Sequence, residues 1–180
     1  MRAWTEDDAE AMEAAYIASR DHLRPWMAWA AEEPMGVTVR RAWIQEQNAL
    51  EAAGGDRVRG AFLADGTIVG AGGLHARVGP DALEIGYWVH ADWTRRGVAT
   101  ALAAALCDEA FSEARVATVE IHHDVANVAS AGVPAKLGFA IVGDFPEGPR
   151  APADSGIERR WRLTRDRHAR TLRSSAPTDC

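Results

Sequence analysis

Apolar residues recur at helical spacing from Ala9 to Ser19, behind Thr5 and the acids Glu6, Asp7 and Asp8. This predicts a first helix with a capping residue and favourable charge in its first turn. His22 to Trp29 is aromatic and broken by Pro25, and a second helix is expected from Thr38 or Val39 through Trp43, Ile44 and Leu50 to Gly54-Gly55. Two strand patterns, Arg57 to Ala64 and Thr67 to Ala76, flank Asp65-Gly66, which predicts a hairpin with a two-residue turn. Gly79-Pro80-Asp81 turns the chain into a third strand, Leu83 to Val89. From Gly97 to Glu113 the chain is alanine-rich, with Val98, Leu102, Leu106 and Ala110 on one helical face. A strand over Val116 to Ile121, a short helix from Asn127 to Leu137 ended by Gly138, and strands over Phe139 to Val142 and Gly156 to Leu163 complete the pattern. An antiparallel run followed by strands alternating with helices predicts an α/β fold, a mixed and mostly antiparallel sheet with helices on its faces.

The length of 180 residues suits one domain, expected over residues 1–164, with 165–180 as a basic, weakly specified tail. Hydrophobic residues at 47% and charged residues at 26% are ordinary for a globular chain and exclude disorder over most of it. No stretch nears the roughly 18 apolar residues of a membrane helix, and no basic-then-apolar leader opens the chain, so the cytoplasm is the expected compartment and no membrane partner is expected. Cys107 and Cys180 are the two cysteines, too few for a disulfide framework or a zinc cluster, and no metal is expected. The net charge of −6 is uneven: from Gly148 onward there are eight arginines and four acids, before it 12 basic and 22 acidic residues. An acidic body disfavours nucleic acid, and an anionic ligand must be held by local geometry.

Such geometry is predicted at Glu84-Ile-Gly-Tyr-Trp-Val-His-Ala-Asp-Trp-Thr-Arg-Arg-Gly-Val-Ala-Thr100, a strand, a tight loop and a helix start with Gly97 and the small Ala99. Unsatisfied N–H groups and the helix dipole there favour a phosphate, although an ordinary strand-to-helix turn has the same spacing. The stretch resembles the acyl-CoA-binding motif of the GNAT superfamily of N-acetyltransferases: Arg or Gln, two residues, Gly, one residue, Gly or Ala. The matching positions are Thr94, Gly97 and Ala99, with Thr94 departing from the family's longer side chain and Arg95 and Arg96 beside it. A second match, Asn127-Val-Ala-Ser130 followed by Lys136-Leu-Gly-Phe139, is similar to the RimJ/RimL subgroup, which acetylates ribosomal-protein N-termini. His22-Leu-Arg-Pro-Trp26-Met-Ala-Trp29 is similar to that subgroup's acceptor-side segment, so the likeness spans Arg2 to Leu163. The family's first strand precedes Arg2 to Thr5, which implies a start upstream of Met1.

The resemblance implies acetyl-CoA as cosubstrate and an amine as acceptor, either a protein N-terminus or a small molecule, with a homodimer possible. Val89 would run along the pantetheine arm, and the amides of Arg95, Arg96, Gly97, Val98, Ala99 and Thr100 would hold the pyrophosphate. Asn127 and Ser130 would join them. Where many members carry a tyrosine that protonates the thiolate, Pro134 stands; it removes the amide that would bond the Ser130 carbonyl, and the Ser130 hydroxyl is the expected donor instead. Glu84 is the expected base for the amine, directly or through water, with His75 an alternative. Trp26 and Trp29 would line the acceptor pocket together with Glu84. Transfer by direct attack is expected, since no cysteine occupies a motif position. The rival reading is a noncatalytic acyl-CoA sensor.

Overall fold

The apolar stripes of the sequence converge on the two faces of one sheet in a computed structural model that describes residues 1–175, with side chains through Arg170. Seven strands are ordered β1-β2-β3-β4-β5-β7-β6: β1 Arg2–Ala3, β2 Arg57–Phe62, β3 Ile68–His75, β4 Ala82–Val89, β5 Thr118–Asp124, β6 Ala140–Pro146 and β7 Ile157–Thr164. Every neighbouring pair is antiparallel except β4 with β5. The mixed, mostly antiparallel sheet expected from the sequence is therefore present.

Helix α1, Ala9–Leu23, buries Met12, Ala15, Tyr16, Ser19 and Leu23 at helical spacing. At its start the Asp8 carboxylate accepts from the Thr5 backbone N–H at 2.7 Å and the Thr5 hydroxyl at 2.9 Å. Helix α2, Val37–Ala52, lies beside it. Between them Arg40, Glu13 and Glu33 are buried together, Arg40 bonding Glu13 at 3.2 Å and Glu33 at 2.5 Å. With Trp4, Ile44, Ile68, Ala71 and Trp88, α1 and α2 form the core on one face. On the other face α3, Val98–Ser112, and α4, Val128–Lys136, pack Leu102, Leu106 and Val133 on Leu83, Ile85, Val119 and Ile121.

Four expectations change. The β2–β3 connection is a three-residue loop: Leu63 N–H bonds the Thr67 carbonyl at 2.9 Å, and Gly66 closes the loop at φ 89°, a left-handed conformation that suits glycine. The strand read as starting at Val116 starts at Thr118, and the one read as Phe139 to Val142 continues to Pro146. The segment read as a weakly specified tail is helical from Arg165 to Ser175, as α5; residues 176–180 lie outside the described residues.

Arg165 anchors that helix. Its guanidinium donates to the carbonyls of Phe111, Glu113 and Val116 at 2.5 to 2.6 Å, closing the end of α3. His168 bonds Asp108 at 2.8 Å and lies on the Phe111 ring. Arg165→Ala should cost about 2 kcal/mol by stranding part-buried carbonyls, a fall of roughly 4–8 °C in Tm. A thermal melt unchanged by the substitution would mean that water replaces the guanidinium at no cost.

Candidate active site

The parallel pairing of β4 with β5 covers three positions, Ala82↔Thr118, Leu83↔Val119 and Glu84↔Glu120, and stops. Beyond them the two strands part. His90 N–H bonds the Val69 carbonyl of β3 at 3.0 Å. By alternation along the strand, the backbone groups of Tyr87 and Val89 and the carbonyl of Ile85 point the other way, into the opening. Candidate site residues lie around this opening in three places.

At its wide end the chain leaves Val89 through a short turn, Ala91–Trp93, and enters α3. Arg95 has φ 59°, a left-handed value costly for a residue with a side chain, and Gly97, the N-cap of α3, has φ 83°. Two left-handed residues within three positions fold the loop tightly, the kind of backbone that gathers N–H groups into an anion-binding concavity. Because the first bond of α3 is Ala101 N–H to the Gly97 carbonyl at 2.9 Å, the amides of Val98, Ala99 and Thr100 lack a carbonyl one turn earlier. Arg95, Arg96 and Gly97 are exposed, and nothing lies within 4 Å of a Cβ built at Gly97. A pyrophosphate fits that open, donor-lined space. The Thr94 hydroxyl is turned back to the Ala91 carbonyl at 3.2 Å, and Arg96 lies over the Trp93 ring.

On the α3–α4 face, Asn127 caps α4 by accepting from Ser130 N–H at 3.1 Å. Pro134 is inside α4 and fully buried. The Ser130 carbonyl, which no amide of Pro134 can reach, is met from across the opening by the Tyr87 hydroxyl at 3.3 Å, with the Ser130 Oγ 3.0 Å from the same oxygen. Burial pushes the Tyr87 phenol up to about 12, against the lowering effect of its bond to Ser130, so it is a neutral donor. Sequence reasoning missed Tyr87. Its signal was the carbonyl stranded by Pro134, which called for a donor from another element.

On the opposite face, a groove of about 590 Å³ runs over β5, β7 and β6. Its floor near the opening is Glu84, Glu120 and Glu158, with His122 among them. Arg77 grips Glu84 through two bonds of 2.8 and 2.6 Å. Burial opposes the charge of Glu84, but the hydrogen bond and the positive charge of Arg77 outweigh it and hold the carboxyl below its usual range. His75, the alternative base, is bonded to Asp56 at 2.6 Å. Trp26 and Trp29 do not line this groove. Trp29 packs edge-on against Tyr16, which lies on Trp88, and the tie to the groove's outer loop is one bond, Ala153 N–H to the Pro25 carbonyl at 2.9 Å. Among the described residues no group of His, Cys, Asp and Glu could hold a metal ion.

The acetyltransferase (GNAT) domain family matches residues 1–140. The chain belongs to this family. The GNAT chain is 30% identical over 143 residues to the Bacillus subtilis (strain 168) protein named "Putative ribosomal N-acetyltransferase YdaF", covering 78% of this chain and 77% of that one. Its fold matches that of RimL, a ribosomal L7/L12 alpha-N-protein acetyltransferase solved with coenzyme A, at TM-score 0.82 and 19% identity, over 92% and 93% of the two chains. Mycobacterium smegmatis RimJ, solved with a CoA-disulfide, matches at TM-score 0.81 and 23% identity, over 96% and 87%. This GNAT chain is an acetyl-CoA-dependent N-acetyltransferase.

Proposed function

We propose that the acceptor is the N-terminal amine of a protein, with ribosomal proteins the class that the name of the B. subtilis relative suggests. The observation that carries this reading is the groove. It runs over β5, β7 and β6 with a volume of about 590 Å³, and its inner end holds carboxylates beside the β4–β5 opening. A terminus laid in it would bring a single ammonium to Glu84, whose ionised carboxylate serves as counter-charge. A ribosomal acceptor would also put the work in the cytoplasm; no helix among the described residues is long and apolar enough to cross a membrane.

In this reading the loop amides from Arg95 to Thr100 hold the pyrophosphate and the backbone of Val89 borders the pantetheine arm. The thioester then lies in the opening, between the Glu84 end of the groove and Ser130. The deprotonated amine attacks the thioester carbonyl, the C–N bond forms, and the C–S bond breaks with its electron pair going to sulfur. The Ser130 hydroxyl donates to that sulfur as its charge develops. As the sulfur gains charge, the one Tyr87 proton turns from the Ser130 carbonyl to the Ser130 Oγ, 3.0 Å away, so the serine's own proton points at the sulfur.

The test is thiol release from acetyl-CoA with a panel of acceptors. Peptides bearing free N-termini should react at least tenfold faster, by kcat/KM, than the same peptides with blocked termini or than polyamines and amino acids. Release with small amines alone would replace the protein terminus by a small-molecule acceptor, and release with none would remove amine acetylation.

A further inference from the structure

We propose that His122, rather than Glu84, takes the proton of the incoming amine, with Glu84 and Glu158 holding the ammonium and Glu120 orienting the imidazole. This rests on the groove being the acceptor site.

His122 Nε2 is 2.7 Å from Glu120 Oε2, while the other Glu120 oxygen accepts from Arg162 at 2.7 Å. A carboxylate held by a guanidinium is ionised and can only accept, so Nε2 must carry a hydrogen. That leaves Nδ1 as the basic nitrogen. A carboxylate fixing one ring nitrogen so that the other can take a proton is the arrangement that orients a catalytic histidine.

Nδ1 faces two more carboxylate oxygens, Glu158 Oε1 at 3.3 Å and Glu84 Oε2 at 3.6 Å. Neither requires a proton on Nδ1, because each already holds a guanidinium. Arg77 grips Glu84, and Arg150 and Arg160 bond Glu158. These groups face the imidazole from β4, β5, β7 and the two adjoining loops. The carboxylates are buried, 5 to 8% exposed, whereas Arg77 and Arg150 are 60% and 63% exposed at the rim and can swing aside. Glu84 Oε2, Glu158 Oε1 and His122 Nδ1 thus present three acceptors around one point. A primary ammonium has three N–H groups to meet them.

Glu84 is the weaker base of the two. Its carboxyl is held below its usual range, so it keeps its charge but has little affinity for a proton. Nδ1 offers a neutral nitrogen lone pair, whereas each carboxylate oxygen beside it already accepts from a guanidinium. The step balances: one N–H bond of the ammonium breaks, its electron pair stays on nitrogen for the attack, and the proton goes to Nδ1 and out through the groove. The second proton lost from nitrogen ends on the coenzyme sulfur.

The experiment is the pH profile of kcat/KM, with the best acceptor of the panel, for the wild type and for His122→Asn, Glu84→Gln and Glu158→Gln. His122→Asn should lower kcat at least a hundredfold, the range for loss of a general base, and remove the acidic limb. The glutamine variants should raise the acceptor KM about tenfold and keep that limb. Acetyl-CoA should stabilise every variant as it does the wild type, which shows that they fold. If His122→Asn misfolds, the ring 15N shifts of the wild type decide instead: an Nε2–H tautomer below saturation with acceptor is expected, and Nδ1–H would overturn the proposal. Loss of the limb in Glu84→Gln, with His122→Asn near wild type, would return the role to Glu84. A wild type inert to every amine would refute the acceptor reading, and this proposal with it.

Discussion

Ser130→Ala should lower turnover between a hundredfold and a thousandfold while leaving the acetyl-CoA dissociation constant within about twofold. The size follows from the loss of one donor to a developing negative charge, roughly 3 to 4 kcal/mol at an oxyanion and an upper guide for the larger, softer sulfur. The ground state loses little, because a neutral thioester sulfur is a poor acceptor. Tyr87→Phe separates the partners. It removes the bond at 3.0 Å to the Ser130 Oγ and the bond at 3.3 Å to the Ser130 carbonyl, yet leaves the serine hydroxyl in place. A fall of about tenfold is expected. Stopped-flow thiol release and coenzyme titration measure both quantities. Full turnover in Ser130→Ala would confine this serine to its capping bond with Asn127. Loss of turnover in Tyr87→Phe equal to that in Ser130→Ala would make the phenol the direct donor.

The second large effect lies in the loop. Acetyl-CoA at about 100 times its dissociation constant should stabilise the wild type by about 2.7 kcal/mol, a rise of roughly 5–11 °C in Tm, and Gly97→Glu should abolish that rise. Two causes act together in the glutamate variant. The left-handed φ of 83° costs any side chain about 1–2 kcal/mol, and a negative charge is set where the pyrophosphate belongs. Gly97→Ala carries the strain without the charge. It should melt lower than the wild type but keep most of the coenzyme-induced rise. An equal rise in Gly97→Glu would move the pyrophosphate away from this loop.

Local features were legible in the sequence, and those assembled across strands were not. The start of α3 could be read because Gly97 and the apolar face of Leu102, Leu106 and Ala110 lie within one segment. The start of α4 could be read because Asn127 and Ser130 are a cap and its third residue. Helix α5 was hidden because Arg165, Asp166, Arg167 and His168 show no apolar stripe. It is held by a guanidinium on three carbonyls, which no periodicity reveals. The site around His122 was equally hidden. Glu84, Glu120 and Glu158 come from three strands, and only the pairings Glu84↔Glu120 and His122↔Arg160 bring them to one face. In the sequence, Glu84 looked like a lone base. Its restraint by Arg77 depends on the turn after β3, seven residues away. Trp26 and Trp29 follow the family's pattern; Trp29 sets its edge against Tyr16 of α1 and is otherwise exposed.

The parting of β4 from β5 leaves the sheet with a seam. Past Glu84 and Glu120, two strand edges face each other within the molecule, and among the described residues no strand pairs with the amides of Tyr87 and Val89 that point into the gap. On the outside of a protein such edges recruit foreign strands. In the proposed reading a pantetheine arm, with two amides along its length, serves here as a substitute strand. In the free protein those amides should exchange with solvent at rates typical of a loop, and once the coenzyme is seated they should slow to the rates of the surrounding sheet. In that reading the substrate is also the missing piece of the architecture.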